Sequence, residues 1–86
     1  MHINMKKAKL NTLIEQQGAL LRQKPYEFWI NQEYPIIKEE EVDGETAIIE
    51  IELLELTDSY IQLGLSGGDG GFSSYLNIGQ TYVIYK

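Results

Sequence analysis

Apolar residues first recur at Leu10, Leu13, Ile14, Leu20 and Leu21, the i, i+3, i+4 spacing of one helix face, with Gln17 interrupting the stripe. This spacing predicts a helix from Leu10 to Leu21. It stops before Pro25, because a residue preceding proline is pushed out of helical backbone geometry. Thr12 and Glu15 stand in capping-box register, with Asn11 and Asn4 as competing caps. Gly18 lies inside the span and costs about 1 kcal/mol relative to alanine. The helix is therefore expected to depend on docking through Leu10, Leu13, Ile14, Leu20 and Leu21.

After Pro25 the period changes to two. Tyr26, Phe28 and Ile30 alternate with Glu27, Trp29 and Asn31, predicting a first strand with Trp29 on its outward parity. Asn31-Gln32-Glu33 turns the chain, and Tyr34 to Glu41 reads as a second strand with Pro35 near its start. Asp43-Gly44 is the pair that makes a tight hairpin turn with positive φ. In the third strand, Thr46 to Thr57, Ala47, Ile49, Ile51 and Leu53 share one face and Glu50 and Glu52 the other. Leu54 and Leu56 then carry the apolar pattern on the opposite parity, which predicts a β-bulge at Leu53-Leu54 that restores the apolar face and adds twist. Asp58-Ser59 turns into a fourth strand with Ile61, Leu63 and Leu65 inward. Ser66 to Gly71 reads as a flexible loop, and Tyr75 to Tyr85 as a last segment with a turn at Gly79-Gln80 and a closing strand.

The sum of these elements is an α+β fold: an N-terminal helix packed on a curled, half-barrel-like antiparallel meander of about five strands. The 86 residues make a single domain, 1–86, of a size that buries roughly 60–65% of the surface its unfolded chain exposes. Apolar residues make up 43% of the chain and six tyrosines are among its aromatics, enough for an independently folded core, though a homodimer would share the burden.

Charge changes the picture more than composition does. The net charge is −6, unevenly spread: residues 25–58 hold eleven acids against Lys38, while residues 1–24 hold five cations against Glu15. Eight carboxylates fall in the twenty residues from Ile37 to Leu56. An acidic body repels phosphate backbones, so direct nucleic-acid binding is disfavoured and a basic protein partner favoured. Part of the acid run serves as solubilising surface and edge protection. Glu39, Glu40 and Glu41, facing Glu50 and Glu52 across the hairpin, would still place like charges opposite one another. A cationic partner would compensate them. The candidate partner-binding residues are Glu39, Glu40, Glu41, Asp43, Glu50 and Glu52, with Trp29 as an exposed aromatic anchor.

Reaction chemistry is sparse. Cysteine is absent, which removes disulfides, thiolate nucleophiles and cysteine-zinc sites and fits a reducing cytoplasm. His2 is the sole histidine, so no imidazole pair completes a metal site or a triad. Ser66-Gly67-Gly68-Asp69-Gly70-Gly71 brings glycines that let backbone N–H groups approach an anion. It lacks both the Lys-Ser/Thr pair of a phosphate loop and the G-x-G-x-x-G register. Glu50 and Glu52 have the residue types of a glycosidase pair, but such work needs a sugar-sized cleft. The expectation is a non-enzyme with no cofactor and no metal. The N-terminal segment has no leader-like apolar run, and no apolar window reaches the ~18–20 residues of a membrane span.

The ending YIQLGLSGGDGGFSSYLNIGQTYVIYK, in a small, acidic, cysteine-free chain, resembles the terminal strands of bacterial toxin-immunity proteins. The resemblance implies an inhibitor that neutralises a cognate toxin by covering its active site or an exosite. Joined to the acidic face, it leads to a non-enzymatic inhibitor of a basic toxin, a nuclease in the first instance. Two alternatives stay open: a phage-encoded acidic inhibitor that mimics nucleic acid, and a homo-oligomeric ligand-binding or structural module.

Overall fold

The computed structural model describes residues 7–42, 44–68 and 78–86. Helices α1 (Lys7–Arg22) and α2 (Tyr26–Ile30) precede strands β1 (Ile36–Val42), β2 (Glu45–Leu56), β3 (Tyr60–Gly68) and β4 (Ile78–Tyr85). The strands form one antiparallel sheet in the order β1-β2-β3-β4. The chain is thus α+β, with an N-terminal helix on an open four-stranded sheet.

The helix stripe does what its spacing requires. Leu10, Leu13, Ile14 and Leu21 are buried against Ala47, Ile49 and Ile51 of β2 and Ile61, Leu63 and Leu65 of β3. Leu20 was expected in this set, yet it is 52% exposed. Gln17 takes the buried position, its Nε2 donating to Glu40 Oε1 at 3.3 Å. Thr12 is not a cap: α1 is already helical from Lys7, and Thr12 Oγ1 donates to Ala8 O at 3.1 Å inside it. Gly18 has a packing reason, because a Cβ there would overlap the phenol of Tyr82 from β4. Gln17 meets β1 and Gly18 meets β4, so one turn of the helix touches both edges of the sheet.

Tyr26–Ile30 is a short helix, not a strand. Five residues of alternating pattern also satisfy i, i+3, and it is Tyr26 and Trp29, three apart, that are buried. Trp29 Nε1 donates to Leu21 O at 3.1 Å and its ring meets Phe28 edge-on, while Tyr26 Oη donates to Thr57 O at 2.6 Å. Asn31 Nδ2 and Gln32 Nε2 donate to the Glu27 and Phe28 carbonyls at 2.8 and 3.0 Å, closing the helix end. Tyr34 Oη donates to Trp29 O, and a cis Tyr34–Pro35 peptide leads into β1.

Val42 pairs with Glu45 across the hairpin, and Gly44 has φ 81, the positive φ expected of it. The expected bulge is present: the β2/β3 register shifts between Leu53 and Glu55. Ser66, Gly67 and Gly68 belong to β3 and not to a loop, paired with Glu50, Ile49 and Ile48. Gly67 sits under α1, where an added Cβ would come within 2.6 Å of Ile14 Cδ1. Gly79 and Gln80 likewise continue β4, opposite Ser66 and Leu65, instead of turning the chain. Asp43, His2 and residues 69–77 lie outside the described residues, and with them the Asp69–Gly71 part of the expected glycine loop.

Candidate functional site: the open face of the sheet

Pairing fixes which side chains share a face. Ala47, Ile49 and Ile51 point towards the helices, so Ile48, Glu50 and Glu52 point away. Their partners follow: Ile37, Glu39 and Glu41 of β1, Gln62, Gly64, Ser66 and Gly68 of β3, and Gly79, Thr81 and Val83 of β4 all lie on the face opposite the helices. After the bulge Glu55, opposite Gln62, joins them. This face carries Glu39, Glu41, Glu50, Glu52 and Glu55, and no Lys or Arg among its described strand residues.

The cations whose side chains are described are on the other side. Lys9 Nζ pairs with Glu45 Oε1 at 2.9 Å. Arg22 lies over the Tyr82 ring at 4.7 Å, Lys24 over Phe28 at 5.1 Å and Lys86 over Tyr26 at 5.8 Å. Lys38, opposite Ile49, faces the helices beside Gln17, Leu20 and Lys24. Alternation along two strands thus sorts the charges, leaving the described strand residues of the open face with one sign.

Of the six acidic candidates Asp43 lies outside the described residues, and the other five divide accordingly. Glu39, Glu41, Glu50 and Glu52 come together on the open face. Glu40 does not, since its parity turns it to the helix side and Gln17. Trp29 does not either: at 5% exposure it is a core residue, which overturns its expected outward projection. Nor do glutamates oppose glutamates. Glu50 faces Ile37, Glu39 faces Ile48 and Glu41 faces Thr46, so the register interleaves carboxylates with apolar and hydroxyl side chains. The repulsion that remains runs along β2. A hydrogen bond with Glu52, then burial and the Glu52 charge, raise the Glu50 carboxyl above its ordinary value of 4.5.

Between these acids the surface has relief. Three successive outward positions of β3 are small, Gly64, Ser66 and Gly68, and Leu54 at the bulge folds over Gly64. A depression lined by Glu52, Gly64, Ser66, Gly79 and Thr81 runs along this row, and a second lies between Glu50, Glu52, Tyr34, Pro35 and Leu53. Ile37, Leu54 and Val83 contribute exposed apolar surface. Glu55 is held by Tyr60 Oη, which donates to its Oε1 at 2.8 Å; that bond raises the Tyr60 phenol. Sequence reading missed Glu55 and the row of small residues, although period two through Ile61, Leu63, Leu65 and Gly67 marks the alternate positions of β3 as the outward ones.

Among the described residues no three His, Cys, Asp or Glu side chains are placed to hold a metal ion, and no helix is long and apolar enough to cross a membrane. No family model, curated protein or solved structure matches the chain.

Proposed function

We propose that this protein is a non-enzymatic inhibitor that binds a basic protein through the open face of its sheet, as an immunity protein of the bacterial cytoplasm neutralises a toxin that acts on nucleic acid. The observation that carries the reading is the sorted charge: five carboxylates on one face with no cation among the described strand residues of that face. Such a surface attracts a cationic partner and speeds its approach. Glu50 adds support, because a carboxyl strained by its neighbour gains when a partner's Lys or Arg neutralises the pair. The interleaved Ile37, Leu54 and Val83 supply apolar contact once charge has steered the two together.

Catalysis is the weaker reading of Glu50 and Glu52, since both project from an open sheet with no wall to keep water from a reacting centre. The bulge, and the helix turn that meets both sheet edges, support the half-barrel curl expected of the meander. Lack of cysteine supports the cytoplasm. The test is affinity capture on immobilised wild type and on a variant with Glu39, Glu41, Glu50 and Glu52 all changed to Gln. A basic protein held by the wild type, released by salt and lost by the variant is the expected result. Equal retention on both would sink the proposal.

A further inference from the structure

We infer that β4 is a self-pairing edge, through which two copies of this chain join antiparallel into one continuous sheet. The strand order leaves two edges of different chemistry. β1 carries Lys38, Glu39, Glu40 and Glu41, charges of the kind that block strand addition. β4 has no charged residue from Ile78 to Tyr85, while Val83 is 42% and Tyr85 72% exposed. In a molecule of net charge −6, β4 is the edge at which a second copy meets no opposing carboxylate.

The backbone is arranged to match. Lys86 N donates to Ser59 O at 2.9 Å, so the even-numbered residues at this end of the chain turn their N–H and C=O groups towards β3. Alternation then turns those of Gly79, Thr81, Val83 and Tyr85 away from the sheet. A two-fold axis at Tyr82 pairs Gly79 with Tyr85 of the second copy and Thr81 with Val83, and each of these residues exchanges both backbone bonds with its opposite. The side chains agree with this register. Among the described residues, a Cβ added at Gly79 would meet only Leu65 O at 3.7 Å and Ser66 Cβ at 4.0 Å, ordinary contacts that leave this glycine room for a neighbour. The Tyr85 ring, which meets Tyr60 of its own copy edge-on at 6.0 Å, swings across to lie over this glycine of the second copy, an aromatic side chain covering an edge glycine. Val83 packs beside Thr81 on the same face. This pairing leaves the acidic residues of both copies on the open face, and it holds whichever partner that face takes.

Sedimentation equilibrium across a wide concentration range tests it, with the wild type expected to reach twice its 9.9 kDa mass. Val83→Lys places a charge on each side of the two-fold and is expected to weaken the dimer about 100-fold. Amide exchange on the wild type requires no variant: Thr81, Val83 and Tyr85 should gain protection as concentration rises, while Tyr82 and Ile84 stay protected throughout. A 9.9 kDa species at every concentration with freely exchanging outward amides would overturn the proposal, leaving the edge to an extended segment of another protein. A dimer unaffected by Val83→Lys would overturn it too, by placing the contact elsewhere. If Val83→Lys fails to fold, the wild-type amide pattern decides.

Discussion

The two faces of the sheet are built from the same strands by opposite rules. Along β3, Ile61, Leu63 and Leu65 are buried beneath the helices, while their neighbours Gln62, Gly64 and Ser66 turn to the open face. Along β2, Ala47, Ile49 and Ile51 alternate with Ile48, Glu50 and Glu52. One face spends its side chains on the core; the other contributes little to it and is free to concentrate charge. The lesson is a division of labour by parity, in which a substitution's consequence depends on whether its position is odd or even within a strand.

The largest effect expected lies on the covered face. Ile14→Ala removes a fully buried side chain that lies over Gly67 in the core, and should cost about 2–5 kcal/mol in chemical denaturation. Leu20→Ala, on the same helix but half exposed, should change stability by less than about 0.5 kcal/mol. Similar losses at both positions would mean that the helix stripe is not the one described.

Gly18→Ala comes next. Helix propensity alone would favour alanine by about 1 kcal/mol. The Tyr82 phenol occupies the space a methyl group would need, so the variant should instead be destabilised, by about 1–3 kcal/mol. Pairing it with Tyr82→Leu, which withdraws the ring, should restore part of the alanine gain. A Gly18→Ala protein more stable than wild type would show that α1 does not rest on β4.

What the sequence made legible follows from how local each signal is. The helix, the β1–β2 hairpin with its positive-φ Gly44 and the bulge at Leu53-Leu54 are written in spacing and parity, and all three are present. Gln17 was opaque because its burial rests on Glu40, a residue from another element that a hydropathy pattern does not register. YEFWI misled because five residues fit two periods, and the decision was made at a distance, by the Trp29 bond to Leu21 O. Ser66-Gly67-Gly68 read as loop by composition, whereas its glycine is a packing choice that lets Ile14 approach the strand. Of the candidate site, the acids of one parity were legible from the chain alone. Glu40 separated from Glu39 and Glu41 only once the strand had a direction and a covered side.

The smallest stability effect belongs to the open face. The Glu50 pKa is raised on folding, so the folded protein holds that proton more tightly than the unfolded chain does. Its contribution is therefore fully present below the unfolded pKa and is lost as pH rises through the folded one. Glu50→Gln should remove this component: unfolding at acidic and neutral pH should show a smaller fall with rising pH than in wild type. An unchanged pH slope would mean that Glu50 and Glu52 do not share a proton.

The claim that one face holds the fold and the other the partner is tested most directly by association kinetics of the captured basic partner at low and high ionic strength. Wild type and the Glu39, Glu41, Glu50, Glu52 to Gln variant would be compared in stopped flow, with their stabilities measured alongside. The expected result is a wild-type rate that falls about tenfold or more with salt, a variant that is slow and nearly indifferent to salt, and stabilities that differ little. Equal rates with equal salt dependence in the two proteins would contradict it.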